Sequence, residues 1–200
     1  MSAELSSYGK ERLTIVDHFG VYLSLRAIQK YLPKNPQLKV LDLGCGYHAT
    51  LLSALSTRIH SGIGVDFHIH PALKKISNLT FIESSIQHVF PKLSTPVDVI
   101  FLMSTLEHLA EPLDILHQCH QLLEKNGMLF VNVPTWRGKF FLEFSAYRLG
   151  LSPKDGVDDH KMYYDKRDLW PLLVKSGFLP SQITLKYHKF GLNLLAMVRK

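Results

Sequence analysis

The sequence has little of what marks secreted, membrane-spanning or metal-stabilised proteins. Its 200 residues include only two cysteines, Cys45 and Cys119, and no Cys-x-x-Cys pair, so two reduced thiols are predicted rather than a disulfide. The longest apolar runs, such as Val97–Met103, fall far short of the roughly 20 residues that a membrane span requires. The N-terminus carries neither the basic nor the apolar region of a secretory signal. These absences predict a cytoplasmic protein.

The charge of the chain is unevenly distributed. A composition of 46% apolar and 20% charged residues is that of a soluble globular protein, and 200 residues fit one domain spanning 1–200. Residues 1–133 hold 11 Lys and Arg against 11 Asp and Glu, whereas residues 134–200 hold 12 against 6 and supply the whole net charge of +6. A basic C-terminal third can attract an anionic small molecule, a lipid surface or nucleic acid, or can simply be a soluble basic face.

Strand-like and helix-like segments alternate along most of the chain. An amphipathic helix is predicted over 11–32, where prolines stop it. Short apolar runs typical of strands follow at Lys39–Leu43, Ile63–Val65, Leu79–Ile82, Val97–Met103 and Met128–Val133. Helices are predicted between them over about Thr50–Thr57 and from Pro112 to the Asn126-Gly127 turn. Buried strands separated by helices are typical of a parallel sheet covered on both faces, a doubly wound α/β fold.

The tail departs from this alternation. A helix is predicted over Asp168–Ser176, with Asp168 as its N-cap and Pro171 in its first turn. Strands are predicted near Gln182–Tyr187 and Leu192–Val198, and the short connection between them allows only an antiparallel hairpin. The predicted fold is therefore α/β, with five parallel strands plus a C-terminal antiparallel hairpin.

The first predicted strand runs into a turn that contains two glycines, in the sequence VLDLGCGYH over Val40–His48. Glycines there let the main chain approach a ligand closely, and the N-terminus of the following helix favours polar or negative groups. Asp66 ends the second strand, 20 residues after Gly46. A carboxylate at that place can accept hydrogen bonds from both ribose hydroxyls of an adenosine. The order of strand, turn, helix and second strand predicts a nucleoside-binding site.

The motifs between Val40 and Pro134 resemble those of the class I S-adenosylmethionine-dependent methyltransferases, in particular the small-molecule group with a DLGCGxG turn. The resemblance implies a Rossmann-like fold, S-adenosyl-L-methionine as cofactor and S-adenosyl-L-homocysteine as product. It also implies that Asp66 binds the ribose and that Phe67 lies beside the adenine. The LEH sequence at 106–108 resembles the family's motif after the fourth strand. The residues implied at the methionine half of the cofactor are Asp42, Gly44, Cys45 and Gly46, and the implied cofactor-side positions at the end of the fourth strand are Leu102, Met103 and Ser104.

The sequence departs from the family pattern at two positions. His48 stands where the family usually has a third glycine, and its side chain could crowd the methionine end of the cofactor or reach across to the active site. Ser85 stands where the family typically has an Asp that contacts the adenine amine, so a weaker acceptor is expected there, next to the main-chain N–H of Ile86.

The reaction implied by the resemblance is an in-line displacement at a sulfonium, for which the protein mainly supplies alignment and exclusion of water. A hydroxyl acceptor also needs a proton acceptor, and histidine suits that task near neutral pH. The resemblance implies His160 as the first candidate, with Asp158 or Asp159 to orient it; the alternative is a surface histidine in a polar loop. His108 in the LEH sequence is the second candidate, and its alternative role is to hold the loop after the fourth strand.

The substrate side is predicted in the basic, aromatic stretch 135–165, a candidate lid, together with an N-terminal helical cap over 1–36. Phe140, Phe144 and Tyr147 fall on one helical face, which either packs on the sheet as core or covers the acceptor. Such a lid suits a small-molecule acceptor, including an anionic or lipid-linked one, and permits peripheral membrane contact without a transmembrane segment. The absence of a Lys/Arg-dense run argues against nucleic acid.

Two other functions fit parts of the sequence. A non-catalytic binding or partner module that kept the fold is favoured by His48 and Ser85. An NAD-dependent oxidoreductase is favoured by the GxGxxA pattern at 44–49, although the LEH sequence, the terminal hairpin and the short chain argue against it. A metal site is not predicted, because no further paired ligands at zinc-like spacing accompany the only candidates, His117, Cys119 and His120.

Overall fold

A computed structural model describes residues 15–93, 95–139 and 161–200 of the chain. Its centre is one seven-stranded sheet in the order β3-β2-β1-β4-β5-β7-β6. The strands are β1 (Lys39–Leu43), β2 (Ser61–Asp66), β3 (Leu79–Glu83), β4 (Val97–Met103), β5 (Leu123–Pro134), β6 (Ile183–His188) and β7 (Asn193–Arg199). The first five strands pair in parallel, and β7 pairs antiparallel with both β5 and β6. The predicted sheet with its terminal hairpin is therefore confirmed.

Helices cover both faces of the sheet. They are α1 (Ile15–Gln29), α2 (Thr50–Leu55), α3 (Ile86–Val89), α4 (Pro112–Leu122) and α5 (Lys166–Lys175). Buried side chains alternate between the two faces along each strand: Val40 packs with α1 and α2, whereas Leu41 packs with α3, α4 and α5. The same alternation separates Phe101 from Ile100 on β4. This two-sided burial is why the strands are almost continuously apolar.

Several predicted helix ends differ from the structure. The predicted helix 11–32 ends at Gln29, and its residues 11–14 lie outside the described residues. The helix predicted over Thr50–Thr57 ends at Leu55 and continues as a single 3-10 turn, Ser56–Arg58. In both cases the apolar pattern predicts that a helix is present but does not define the residue at which it ends.

The start of α5 was predicted wrongly. Asp165, not Asp168, is the N-cap of this helix, and Asp168 is its third residue. The two form a capping box, in which the main-chain N–H of Asp165 donates to Asp168 Oδ2 over 2.7 Å. Pro171 consequently lies inside the helix rather than in its first turn. Asp165 and Asp168 are both acidic and lie three apart, so either fits an N-cap pattern, and the prediction of Asp168 was wrong.

The Asn126-Gly127 turn lies within β5 rather than at the end of a helix. The helix α4 stops at Leu122, and β5 begins at the next residue. The pairing of β4 with β5 shifts register between Val97 and Val99, and Asn126 adopts a left-handed φ of 67° in the extra residues of the bulge. The regular ladder resumes at Met128, where the predicted strand begins.

None of the helices within residues 15–93, 95–139 and 161–200 has the length and apolar character of a transmembrane segment. Cys45 and Cys119 are both free thiols, and Cys119 is a residue of α4 whose side chain is fully buried in the core.

Candidate active site

The glycine turn after β1 lies at the edge of the sheet where the parallel strands end. Gly44 has a φ of +78°, and its main-chain N–H donates to the carbonyl of Val65 over 2.8 Å. A Cβ at Gly44 would lie 2.3 Å from Thr105 Oγ1. Both the backbone angle and the close approach of the β4 loop therefore require glycine at this position.

Asp66 holds the second glycine of the turn. The main-chain N–H of Gly46 donates to Asp66 Oδ2 over 2.7 Å, and the N–H of Phe67 donates to Asp66 Oδ1 over 2.8 Å. A Cβ at Gly46 would meet no atom within 4 Å, so open space adjoins the turn. The turn and the carboxylate predicted to bind a nucleoside are thus in direct contact.

Asp42 places a second carboxyl group under the same turn. Its side chain is fully buried, and its Oδ1 has no hydrogen-bond partner in the part of the chain that the structure describes. Burial, and then the negative charge of Asp66, raise the pKa of Asp42 to about 7. Burial also raises the pKa of Asp66. Burial and the charges of Asp42 and Asp66 raise the pKa of the Cys45 thiol, so it stays protonated.

These residues fit the cofactor implied by the resemblance. Each oxygen of Asp66 accepts one main-chain N–H and keeps a lone pair for a ribose hydroxyl. Phe67 follows directly and is exposed, as an aromatic neighbour of an adenine needs to be. The unpartnered oxygen of Asp42 is the second indication, since a buried acceptor without a donor is costly unless a ligand supplies one.

The two residues that depart from the family pattern, His48 and Ser85, each contact a neighbouring histidine. His48 stacks on His70 with a ring separation of 5.9 Å, and the ring of Tyr47 meets the edges of both. Ser85 is the N-cap residue of α3, and its hydroxyl lies 2.9 Å from His88 Nδ1. Ile86, next to it, is buried. His48 is therefore part of an aromatic cluster beside the turn.

The end of β4 brings a strained serine to the same edge. Leu102 is buried in the core, Met103 is half-buried, and Ser104 is exposed with a left-handed φ of 58°. The main-chain N–H of Ser104 donates to the carbonyl of Asn132 over 2.8 Å, and Asn132 Nδ2 donates to Ser104 Oγ over 3.2 Å. Non-glycine residues in this conformation concentrate at functional sites.

Glu107 is the residue that the sequence interpretation missed. It is buried beside His108, and its Oε2 has no hydrogen-bond partner within the described ranges. Burial raises the pKa of Glu107 to about 8, against a smaller opposite effect of the Lys189 charge. Its carbonyl accepts the main-chain N–H of Lys161 over 2.9 Å. The signal in the sequence is an acidic residue between Leu106 and His108, directly after an apolar strand.

The candidate lid is only partly described. His160 and the aromatic residues Phe140, Phe144 and Tyr147 lie outside the described residues. The chain returns at Lys161 beside Glu107, and the N–H of Tyr164 donates to the carbonyl of Pro134 over 3.0 Å. The segment that follows position 160 is therefore fixed to the ends of β4 and β5.

Among the described residues, no three His, Cys, Asp or Glu side chains are grouped closely enough to hold a metal ion. His117 instead pairs with the amide of Gln121 at 2.9 Å, and the edge of the His120 ring meets Phe178 at a ring separation of 4.8 Å.

Comparison with known proteins gives the family. A family model described as a methyltransferase domain matches residues 16–181. The ubiquinone biosynthesis O-methyltransferase of Salmonella paratyphi A is 27% identical over 141 residues, which make up 66% of this chain and 57% of the relative. The chain thus spans little more than half the length of this curated relative.

Two solved structures share the fold. An S-adenosylmethionine-dependent methyltransferase from Archaeoglobus fulgidus superposes with a TM-score of 0.66 at 14% identity, covering 90% of this chain and 94% of that one. The plantazolicin methyltransferase, crystallised with a desmethyl-plantazolicin analogue and S-adenosylhomocysteine, superposes with a TM-score of 0.65 at 14% identity, covering 92% and 83%. The family model matches most of the length of this chain. The chain therefore belongs to the methyltransferase domain family, that is, to the class I methyltransferases, whose cofactor is S-adenosylmethionine.

Proposed function

We propose that this chain transfers a methyl group from S-adenosylmethionine to a small-molecule acceptor by in-line displacement. The observation that carries the proposal is the pair of carboxyl groups around the glycine turn. Asp42 has a buried oxygen without a partner in the described part of the chain, and Asp66 adjoins the open space at Gly46. This arrangement provides acceptors for a ribose and negative potential for a cationic group.

In this proposal the turn binds and orients the cofactor. When bound, S-adenosylmethionine supplies a methyl group activated by a positive sulfonium. Asp66 would accept the ribose hydroxyls, while Gly44 and Gly46 let the main chain approach. Asp42, with a pKa of about 7, becomes ionised around neutral pH and then attracts the positively charged methionine end. The protein's contribution to the reaction is alignment, which can lower a barrier by on the order of 7–11 kcal/mol.

Ser104 is the group that we assign to the acceptor. Its Oγ already accepts the amide N–H of Asn132, so its own hydroxyl hydrogen can be donated outward from the carboxyl ends of the strands. For a hydroxyl acceptor, His160 and His108 are our candidates for removing the proton. The segments 1–36 and 135–165 are proposed to cover the acceptor, and the cytoplasmic location stays a prediction.

Calorimetric titration tests the cofactor half of the proposal. S-adenosylmethionine and S-adenosylhomocysteine should bind the wild type, and NADH should not. Asp66→Ala should weaken binding by about 10- to 100-fold, since two hydrogen bonds to a charged group are lost. Asp114→Ala, which removes an exposed carboxyl group from α4, is the matched control and should bind like the wild type. Binding of NADH alone would replace the proposal by an oxidoreductase.

A transfer assay tests the catalytic half. Radiolabelled S-adenosylmethionine is incubated with a panel of hydroxylated aromatic acceptors, chosen because the curated relative is an O-methyltransferase. His160→Ala and His108→Ala should each lower turnover without changing cofactor affinity. Cofactor binding without transfer to any acceptor, including amines and carboxylates, would favour a non-catalytic binding module.

A further inference from the structure

The surface around the end of β5 and the start of β7 exposes a group of large apolar side chains, and such a group typically marks a binding surface. We name it the rim surface, and it consists of Phe19 (51% exposed), Tyr22 (51%), Trp136 (42%), Met162 (37%) and Phe190 (89%). Phe190 lies in the tight turn between β6 and β7, where it adopts a left-handed φ of 61°. Both the left-handed backbone conformation of Phe190 and the exposure of its side chain to water are energetically unfavourable.

The members of the rim surface are neighbours in space. A Cβ at Gly20 of α1 would lie 3.6 Å from Lys189 Nζ, so the helix that carries Phe19 and Tyr22 meets the β6–β7 turn. On the other side, the hydroxyl of Thr135 donates to the carbonyl of Gly191 over 2.8 Å, and Trp136 follows directly. The ring of Trp136 lies 5.7 Å from that of Tyr163, next to Met162. The segments that carry these apolar side chains are therefore neighbours at one edge of the sheet.

Basic side chains accompany the aromatic ones. Lys139 Nζ lies 5.9 Å from the ring centre of Trp136, and the Arg26 guanidinium lies 5.9 Å from that of Tyr22. Arg137 is exposed next to Trp136, and Lys189 precedes Phe190. Two acidic residues lie nearby: Asp165 and Asp168 each accept a main-chain N–H in the capping box, and Asp168 Oδ2 also accepts the indole N–H of Trp136 over 3.3 Å. The rim surface therefore combines apolar groups with four basic side chains against these two acidic ones.

We propose that the rim surface binds to an anionic lipid bilayer. Aromatic side chains with a polar or cationic neighbour favour the boundary between headgroups and acyl chains, and Lys and Arg are attracted by anionic headgroups. Phe190 at the tip of a rigid turn can insert without any loss of secondary structure. RNA would need a denser row of cations than these segments provide.

The position of the rim surface suggests a use for membrane contact. Pro134 of β5 pairs with Asn193 of β7 at the carboxyl edge of the sheet, where Ser104 also lies. An acceptor dissolved in the bilayer would therefore enter the active site from the membrane side. This last step rests on the proposed function, whereas the contact with lipid does not.

Co-sedimentation with vesicles tests the proposal on the 200-residue chain. The wild type should bind vesicles of phosphatidylcholine with 30% phosphatidylglycerol, and binding to pure phosphatidylcholine should be much weaker. Phe190→Ser should weaken binding by about tenfold, because it removes a largely inserted side chain. Leu179→Ser is the matched control, since Leu179 is 64% exposed and lies before β6 at the opposite edge. It should bind like the wild type.

A second pair of variants tests the charge. Arg137→Glu should weaken binding to the anionic vesicles by about 30-fold, since each charge near the surface contributes about 1 kcal/mol and the substitution changes the charge by two. Lys175→Glu makes the same change of charge at the far end of α5 and should have little effect, because salt screens it. All four variants should keep their affinity for S-adenosylhomocysteine, so a defect in vesicle binding is distinguishable from a defect of the cofactor site.

Three results would overturn the proposal. The first is a wild type that does not sediment with anionic vesicles. The second is an equal effect of the two charge variants, which would indicate attraction by net charge alone. The third is a wild-type dimer that Phe190→Ser converts to a monomer, measured by size-exclusion chromatography with light scattering. In that case a second copy of the chain, not lipid, covers the rim surface.

Discussion

The two glycines of the turn after β1 have the same backbone conformation and different surroundings. Gly44 and Gly46 have φ values of +78° and +75°. A Cβ on the first would overlap with the side chain of Thr105, whereas a Cβ on the second would point into open space. Glycine is thus required at Gly44 by the protein itself and at Gly46, in our interpretation, by the ligand that approaches the main chain.

This difference predicts opposite effects of the same substitution. Gly44→Ala should lower the free energy of unfolding by about 2–4 kcal/mol, from backbone strain plus the clash with Thr105. Gly46→Ala should cost only about 1 kcal/mol, from strain alone, yet should abolish measurable binding of S-adenosylhomocysteine. Urea unfolding and calorimetric titration of the two variants measure both quantities. Adding Thr105→Ala should restore part of the stability of Gly44→Ala and none of the affinity of Gly46→Ala. Equal stabilities of the two single variants would contradict this assignment.

The raised pKa of Glu107 predicts how the stability of the protein depends on pH. Its pKa is raised from 4.5 in the unfolded chain to about 8 in the folded one, so the folded protein holds the proton more tightly. The corresponding stabilisation is complete below pH 4.5 and is lost as the pH rises toward 8. Glu107→Gln resembles the protonated acid at every pH. Relative to wild type, this variant should therefore gain roughly 2–4 kcal/mol between pH 5 and pH 8.

The measurement is urea unfolding of both proteins at pH 5, 6, 7 and 8. Other titrating groups, including Asp42, contribute equally to the two proteins and cancel in the difference. A Glu107→Gln variant whose stability runs parallel to that of the wild type would show that the carboxyl group is ionised in the folded state.

At the scale of elements, the capping box of α5 allows a direct test of whether Asp165 is the N-cap of this helix. Asp165→Ala should lower the free energy of unfolding by about 1 kcal/mol, because the first turn loses its side-chain acceptor. Arg167→Ala, an exposed change in the same turn, should cost less than about 0.5 kcal/mol. Thermal unfolding followed by circular dichroism separates the two. If Arg167→Ala were the more damaging variant, Asp165 would not be the cap.

The strands were the elements that the sequence predicted well. Lys39–Leu43 and Val97–Met103 were predicted with their observed bounds, because a strand buried on both faces is an uninterrupted apolar run. Helix ends were less accurate, since they depend on caps and bulges: Asp165 and Asp168 compete for one cap, and Asn126 belongs to a bulge formed only by pairing with β4.

The same distinction holds for the candidate site. The contact between the glycine turn and Asp66 follows from adjacent parallel strands, so spacing along the chain was enough to predict it. The link between Ser104 and Asn132 joins β4 to β5 across 28 positions of sequence and involves no recognisable motif. Glu107 likewise gains its importance from burial, which a single sequence does not reveal.

At the scale of the whole molecule, the two faces of the sheet connect its N-terminal and C-terminal parts. One apolar cluster runs from Val65 on β2 to Val198 on β7, and the other runs from Leu79 on β3 to Met197 on β7. No cluster belongs to the first strands alone among the described residues. The terminal hairpin is therefore an integral part of the core rather than an appendage.

This organisation predicts one cooperative unfolding transition. The two tryptophans, Trp136 and Trp170, both lie in the C-terminal third of the chain, whereas far-ultraviolet circular dichroism reports on all strands and helices. Because both clusters cross the sheet, urea curves from tryptophan fluorescence and from circular dichroism should coincide. Leu195→Ala, a truncation in the core next to β5, should shift both midpoints together by roughly 1 M urea. A fluorescence transition that precedes the circular dichroism transition, in the wild type or in the variant, would mean that the hairpin and α5 unfold first, and that the glycine turn can stay folded without them.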